Sequence, residues 1–269
     1  MSVAWAWLRR NALLIYAGIA VLYMLLPIFV IALFSFDQTT FGRLDYTWSG
    51  FTLEYWQDAF SVTAVNDAMI TSIQLAALAT IVSTAIGTLM ALALVRHRFR
   101  GRGASNLLIV LPMATPEIVI GASLLSMFLI YGLELGFTTL FIAHVMFSIS
   151  FVVVVVRSRL IGFDRSLEEA AADLGAPPWK SFWLVTFPLA LPGLVAGSLL
   201  CFIPAVGEFV IPDLLGGSDT LMIGRTLWTE FFTNRSWSIA STIAVLLLLV
   251  LVVPIALYQN IQSRSLERS

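Results

Sequence analysis

Long apolar runs separated by short polar ones fill the chain from end to end. Six of the runs are long enough to cross a bilayer as helices, which takes roughly 20 apolar residues each. They lie within Asn11–Phe36, Ala68–Val95, Ser105–Leu133, Leu135–Val156, Leu189–Leu215 and Ser236–Gln259. Helices are required because an open strand would leave backbone groups unpaired in lipid. The pattern predicts an all-α, polytopic membrane protein of six transmembrane helices, forming a single membrane domain over 1–269 with no soluble module. Hydrophobic residues make up 59% of the 269, which leaves little polar mass to fold outside the membrane.

The basic residues fall mostly on one side of this arrangement. Arg9, Arg10, Arg96, Arg98, Arg100, Arg102, Arg157, Arg159, Arg165, Lys180, Arg264 and Arg268 share it, against Arg43, Arg225 and Arg235 opposite. Twelve against three places both termini in the cytosol by the positive-inside rule. The first run follows an Arg pair, but it is too long for a signal-peptide core and has no small-x-small site at its end, so it reads as an uncleaved span. The cluster from Arg96 to Arg102 reads as an orientation signal beside anionic lipid. Trp48, Phe51, Tyr55, Trp56 and Phe60, in the long outer loop, read as headgroup-level aromatics rather than a binding-protein footprint. The single Cys201 permits no internal disulfide and reads as a small core residue. The net charge of −1 is too small to point to a partner.

One loop stands apart. From Glu169 to Pro188 the chain reads EAAADLGAPPWKSFWLVTFP, polar and punctuated by Gly and Pro between two apolar runs. Ser166 with Glu169 three residues on matches a capping box, which satisfies orphan N–H groups at a helix start. Gly175 suits a left-handed helix stop, and Pro177 or Pro178 opens the next turn. Beyond it, Trp179, Phe182 and Trp183 fall at i, i+3 and i+4, giving an aromatic face that needs a partner to cover it. A capping-box Glu stabilises any helix, so Glu169 alone carries no functional meaning.

The spacing of Glu169-Ala170-Ala171, Gly175, Val185, Phe187 and Pro188 resembles the EAA loop of MetI-like permease subunits in binding-protein-dependent ABC importers. Val185 and Phe187 stand where that family usually has Ile and Leu. The resemblance implies a type I ABC importer architecture in a bacterial inner membrane. It makes 160–190 the cytoplasmic loop that docks on an ATPase, with Glu169, Ala170, Ala171, Gly175 and Trp179 as coupling residues. It also implies a second permease subunit, two ATPase copies that hold the ATP and magnesium, and an extracytoplasmic binding protein. The stretches Cys201–Trp228 and Ser166–Trp183 look most like spermidine/putrescine permeases. The region around Glu208 resembles one of the two paired polyamine subunits and Thr115–Gly121 the other, which leaves the paralogue open.

The residues themselves exclude ATP binding by this chain through a P-loop. That motif needs Gly-Lys-Ser/Thr, and the only lysine, Lys180, follows Trp179. His97 lies in the basic loop. His144, inside the fourth run, has no second ligand at metal spacing and reads as satisfied by an interhelical hydrogen bond.

Two carboxylates remain inside the spans, Glu117 and Glu208, and intramembrane charge marks a pathway or a pair. Each is flanked by prolines, Pro112 and Pro116 or Pro204 and Pro212, which free backbone carbonyls. Carboxylate and carbonyl acceptors together suit an ammonium group. At ~1.5 Å per residue along straight helices, Glu117 falls near the midplane and Glu208 nearer the outer mouth. The outer segments, counting Asp37, Asp45 and Asp213 among nine acidic residues, add a field that concentrates cations. Two rival readings use the same carboxylates: a proton relay in an ion-coupled secondary transporter, and an acid/base pair in an intramembrane enzyme. The absence of a metal constellation and the two different depths weigh against the enzyme.

Overall fold

Proline and glycine positions decide where the long apolar runs stay straight and where they break. The structure, a computed structural model, describes residues 3–38, 47–58, 63–162, 164 and 166–266. Arg43, Asp45, Phe60, Arg165 and Arg268 lie outside the described residues. In chain order the helices are α1 (Val3–Phe34), α2 (Glu54–Asp58), α3 (Thr63–Arg96), α4 (Arg102–Ala114), α5 (Glu117–Ile130) and α6 (Phe137–Ile161). There follow α7 (Ser166–Asp173), α8 (Pro178–Ser181), a π-helical turn (Phe182–Thr186), α9 (Phe187–Gly207), α10 (Val210–Leu215), α11 (Ile223–Trp228) and, beyond a second π turn (Thr229–Thr233), α12 (Trp237–Leu266).

Among the described residues, four helical segments are long and apolar enough to cross a membrane: Arg10–Phe34, Ala64–Arg96, Phe137–Ile161 and Pro178–Gly207. The expected third span, Ser105–Leu133, is not one rod: α4 and α5 meet at 108°. Pro116 drives the preceding Thr115 into an extended conformation (φ −89, ψ 134), which ends α4, and its own fixed φ then starts α5. The sixth run appears as α12, apolar over Trp237–Val252. Of the six expected spans, the described residues thus give four helices of spanning length, one sharply bent helix pair and one shorter apolar helix.

The fifth span also differs from expectation. The apolar run begins at Leu189, yet Pro178–Gly207 is continuous, the polar loop feeding into it through the π turn. Pro188 supplies the reason: it lacks the N–H that would bond the Leu184 carbonyl, and its ring crowds that carbonyl. Widening the turn, so that Phe187 N–H reaches the Phe182 carbonyl, relieves the conflict. The far end stops at Glu208, after which the short α10 begins.

The chain divides into two compact units, 1–63 with 227–269, and 64–226. In the first, α1 packs on α12, and a bridge between Asp37 and Phe51 closes the segment after α1. Asp37 is fully buried. Its Oδ1 accepts the Ser49 and Gly50 N–H groups at 2.7 and 3.1 Å, and its carbonyl accepts the Ser238 hydroxyl at 2.7 Å. The acidic outer field therefore loses one of its expected surface members to a structural role. Phe51 and Trp56 both stack on Phe36, at 5.8 and 5.3 Å between ring centroids.

In the second unit α6 lies against α9. Gly193 makes the close approach possible: a Cβ there would come within 3.0 Å of the Arg159 Cβ, whereas one at Gly197, four residues on, would make ordinary contact, 3.7 Å from the Val152 Cα. Two apolar clusters form, one around Val152, Val156 and Leu160, the other around Leu75, Phe128, Leu140 and Leu215. Cys201 belongs to the first, and Ala143 and Ile211 to the second. All three also line one cavity.

Candidate functional site

That cavity, about 250 Å³, is built from the broken ends of helices. Pro112 and Met113 of α4, Thr115, Glu117 at the start of α5, and Glu208 at the end of α9 reach it together with His144 and Phe147 of α6. Glu208 Oε1 accepts the Val210 and Ile211 N–H groups at 2.9 and 3.3 Å, so its carboxylate caps α10. Gly224 packs beneath this turn, where a Cβ would press on the Gly207 and Glu208 carbonyls. Glu117 and Glu208 thus bring two carboxyl groups into one small space.

Two expectations are corrected here. Straight-helix spacing puts Glu117 and Glu208 at different depths; the 108° break and the stop at Glu208 bring them into one cavity. The contrast in depth that spoke against an acid/base pair is gone, although among the described residues no cluster of three metal-ligating side chains exists. His144 makes no interhelical bond through Nδ1: that atom bonds Leu140 O at 2.8 Å within its own helix, and Nε2 is buried without a partner. Cys201 is a core residue as expected, its thiol directed at Ser148 O at 3.4 Å.

The polar loop forms the helix–stop–helix that its residues predict. Gly175 adopts φ +79, its N–H bonds Ala172 O at 2.9 Å, and Ala176 N–H bonds Ala171 O at 3.0 Å. This is a Schellman stop. The start differs from the expected capping box. Ser166 is already helical, and Asp164 Oδ1 accepts its N–H at 3.0 Å. The Ser166 N–H, with the Ser166 hydroxyl behind it, holds the Asp164 carboxyl below its ordinary range. A depressed carboxyl pKa means the cap is present above the usual Asp range and is lost as pH falls through the folded value.

Glu169, Ala170, Gly175 and Trp179 are exposed and Ala171 is half-buried. Leu174 and Trp179 present bare apolar surface, 88% and 63% exposed.

Glu168, not Glu169, ties the loop to the spans. It pairs with Arg96 at the end of α3 and accepts the Thr186 hydroxyl, while Arg96 also donates to Thr186 Oγ1 at 3.1 Å. Two adjacent glutamates gave the sequence no means of choosing between them. Because Lys180 is the only lysine, a Lys-specific protease reports on this loop alone. Arg96→Ala is expected to speed cleavage after Lys180 by about 3- to 10-fold in the purified complex, as loss of a half-buried ion pair of about 1 kcal/mol would. An unchanged rate would show that the pair does not anchor the loop.

Residues 83–268 match the family described as binding-protein-dependent transport system inner membrane component. The chain belongs to this family. The permease is 34% identical over 248 residues to the spermidine/putrescine transport system permease protein PotC of Haemophilus influenzae, covering 91% of this chain and 93% of that one. To the PotB protein of the same organism it is 37% identical, but over 108 residues only, 40% of this chain and 38% of that one. A crystal structure of a bacterial ABC transporter involved in the import of the acidic polysaccharide alginate matches the fold. It does so with a TM-score of 0.72 at 20% identity, over 97% of this chain and 98% of that one.

The permease is therefore an ABC importer subunit with the fold expected from its sequence, a multi-pass inner membrane protein. Both the carboxylate cavity and the Gly175 loop fall inside the matched span, 83–268. The likeness to PotC thus runs over most of the chain, and that to PotB over less than half of it.

Proposed function

We propose that this permease carries polyamines, linear alkylammonium cations handed over by an extracytoplasmic binding protein, through a pathway that includes the Glu117–Glu208 cavity. The observation that carries the reading is the meeting of two carboxyl groups, from Glu117 and Glu208, in one small cavity that also offers apolar surface from Phe147, Phe151 and Leu200, which suits an ammonium group and its methylene chain. The spermidine/putrescine activity of the PotC relative supports the same chemistry. A second permease subunit, to which a PotB-like protein corresponds, would complete the passage, with 1–269 of this chain as one transmembrane half. Two copies of a cytoplasmic ATPase would hold ATP and magnesium and engage the loop at Glu169–Trp179. ATP binding would draw the loops together and open the cavity outward; hydrolysis and product release would reset it. No cofactor is assigned to this chain.

In cells carrying the whole importer, uptake of radiolabelled putrescine and spermidine is expected to require this chain and its ATPase partners. Uptake that persisted without the ATPase and collapsed with an uncoupler would transfer the chain to ion-coupled secondary transport.

Orientation is tested separately. With Cys201 replaced, Ser218→Cys should label with an impermeant thiol reagent in intact cells and Ser181→Cys only after permeabilisation. Labelling of Ser181→Cys from outside would overturn both the cytosolic termini and the coupling role.

A further inference from the structure

His144 is the one group of the cavity that the carboxylate pair leaves unexplained. It is 6% exposed, and it lines the same cavity as Glu117. A carbonyl oxygen only accepts, so the bond to Leu140 O places a proton on Nδ1. In the neutral ring that tautomer leaves a lone pair on Nε2. This lone pair is buried, has no partner, and belongs to a residue lining the same cavity as Glu117 and Glu208. A buried acceptor with nothing to accept is costly unless a ligand supplies the donor.

We propose that His144 Nε2, Glu117 and Glu208 form a three-acceptor seat for one ammonium group, and that the seat selects primary or secondary ammonium over quaternary ammonium. The proposal rests on the alkylammonium reading of the cavity and adds a recognition rule to it. A primary ammonium carries three N–H donors and no acceptor, one donor for each member of the seat. A quaternary ammonium carries the same charge and no N–H, so it leaves Nε2 unpaired. Phe147 and Phe151 also line the cavity and would attract either cation through their ring faces; hydrogen-bond counting is what separates the two. At about 250 Å³ the space is below the roughly 300–1,000 Å³ of whole small-molecule sites. It takes one end of a longer cation, and the rest continues beyond it.

Two isomeric cations test the rule. n-Butylammonium and tetramethylammonium have the same formula and charge and differ in three N–H groups against none. Their binding to the assembled transporter in lipid nanodiscs, without binding protein, is measured by saturation-transfer NMR titration. The wild type is expected to prefer n-butylammonium by at least about tenfold, the scale of a hydrogen bond to a charged group. His144→Phe, which keeps the ring shape and removes the acceptor, should bring the ratio close to one. His144→Gln, with an amide oxygen in place of Nε2, should restore most of it. Co-elution of all subunits checks that each variant assembles.

Equal binding of the isomers, no binding of n-butylammonium, or an unchanged ratio in His144→Phe would overturn the seat. Putrescine and spermidine uptake by the same complex in sealed proteoliposomes, supplied with binding protein and ATP, tells the two ideas apart. A tenfold preference without polyamine uptake keeps the seat and sinks the polyamine assignment. Polyamine uptake without the preference sinks the seat alone.

Discussion

Replacing Glu208 by Gln should lower polyamine uptake by at least about 30-fold while the subunits still assemble. The local fold has little reason to change, because a Gln Oε1 can accept the same two N–H groups, from Val210 and Ile211, that the carboxylate accepts now. What is lost is one of the two carboxyl groups that can meet the cation. Removing one partner of a desolvated charge pair costs about 2–5 kcal/mol, and 2 kcal/mol is already about 30-fold. Glu117→Gln should act in the same direction.

The double variant carries more information than either single one. Two independent stations along a pathway would multiply their losses, whereas neighbours within one site are strongly non-additive. With Glu117 and Glu208 in one cavity, the double variant should be about as impaired as the worse single variant. Full transport in both single variants would remove the cation pathway and leave the importer assignment standing. Multiplied losses would separate the two carboxylates and contradict the shared site.

The difference between the sequence reading and the structure lies in what local chemistry can and cannot determine. Apolar runs located the spans because burial in lipid is a property of the run itself. Gly175 was legible for a similar reason: a helix stop with φ +79 is a backbone requirement that glycine meets without strain. The Thr115–Pro116 break was signalled by the residues, since a residue before proline avoids the helical region. Its consequence was not, because a bend of 108° repositions everything after it in three dimensions. Rise per residue along a straight helix could not then place Glu117 beside Glu208.

The Arg96–Glu168–Thr186 contact joins positions far apart in the chain. Nothing local to EE at 168–169 reveals which glutamate turns inward. His144 shows the same limit, because its function depends on which acceptors are already satisfied around it, and only the assembled helices define that.

Coupling gives the second large effect, expected at Gly175. The series Asn, Ala, Val at this position should rank by tolerance of the left-handed conformation and not by size. A Cβ built at Gly175 meets nothing within 4 Å, so crowding plays no part and the cost is backbone strain alone. That strain is about 1–2 kcal/mol for an ordinary residue and larger for a β-branched one, while Asn visits the region readily.

The helix it terminates, Ser166–Asp173, has eight residues and is too short to hold itself together in water. Without the Schellman stop, the chain should leave α7 in a different direction. Leu174 and Trp179, exposed on either side of the turn, should then no longer present a common apolar surface to the ATPase. Uptake and binding-protein-stimulated ATP hydrolysis are expected to fall together by about 10-fold in Gly175→Val, less in Gly175→Ala and least in Gly175→Asn. Purified complexes should show the same order in the fraction of ATPase retained. If Val matched the wild type in assembly, stimulated hydrolysis and uptake, the turn would have no mechanical part in transport. If Asn proved worse than Ala, side-chain volume would govern the site, and strain in the left-handed turn would be the wrong cause.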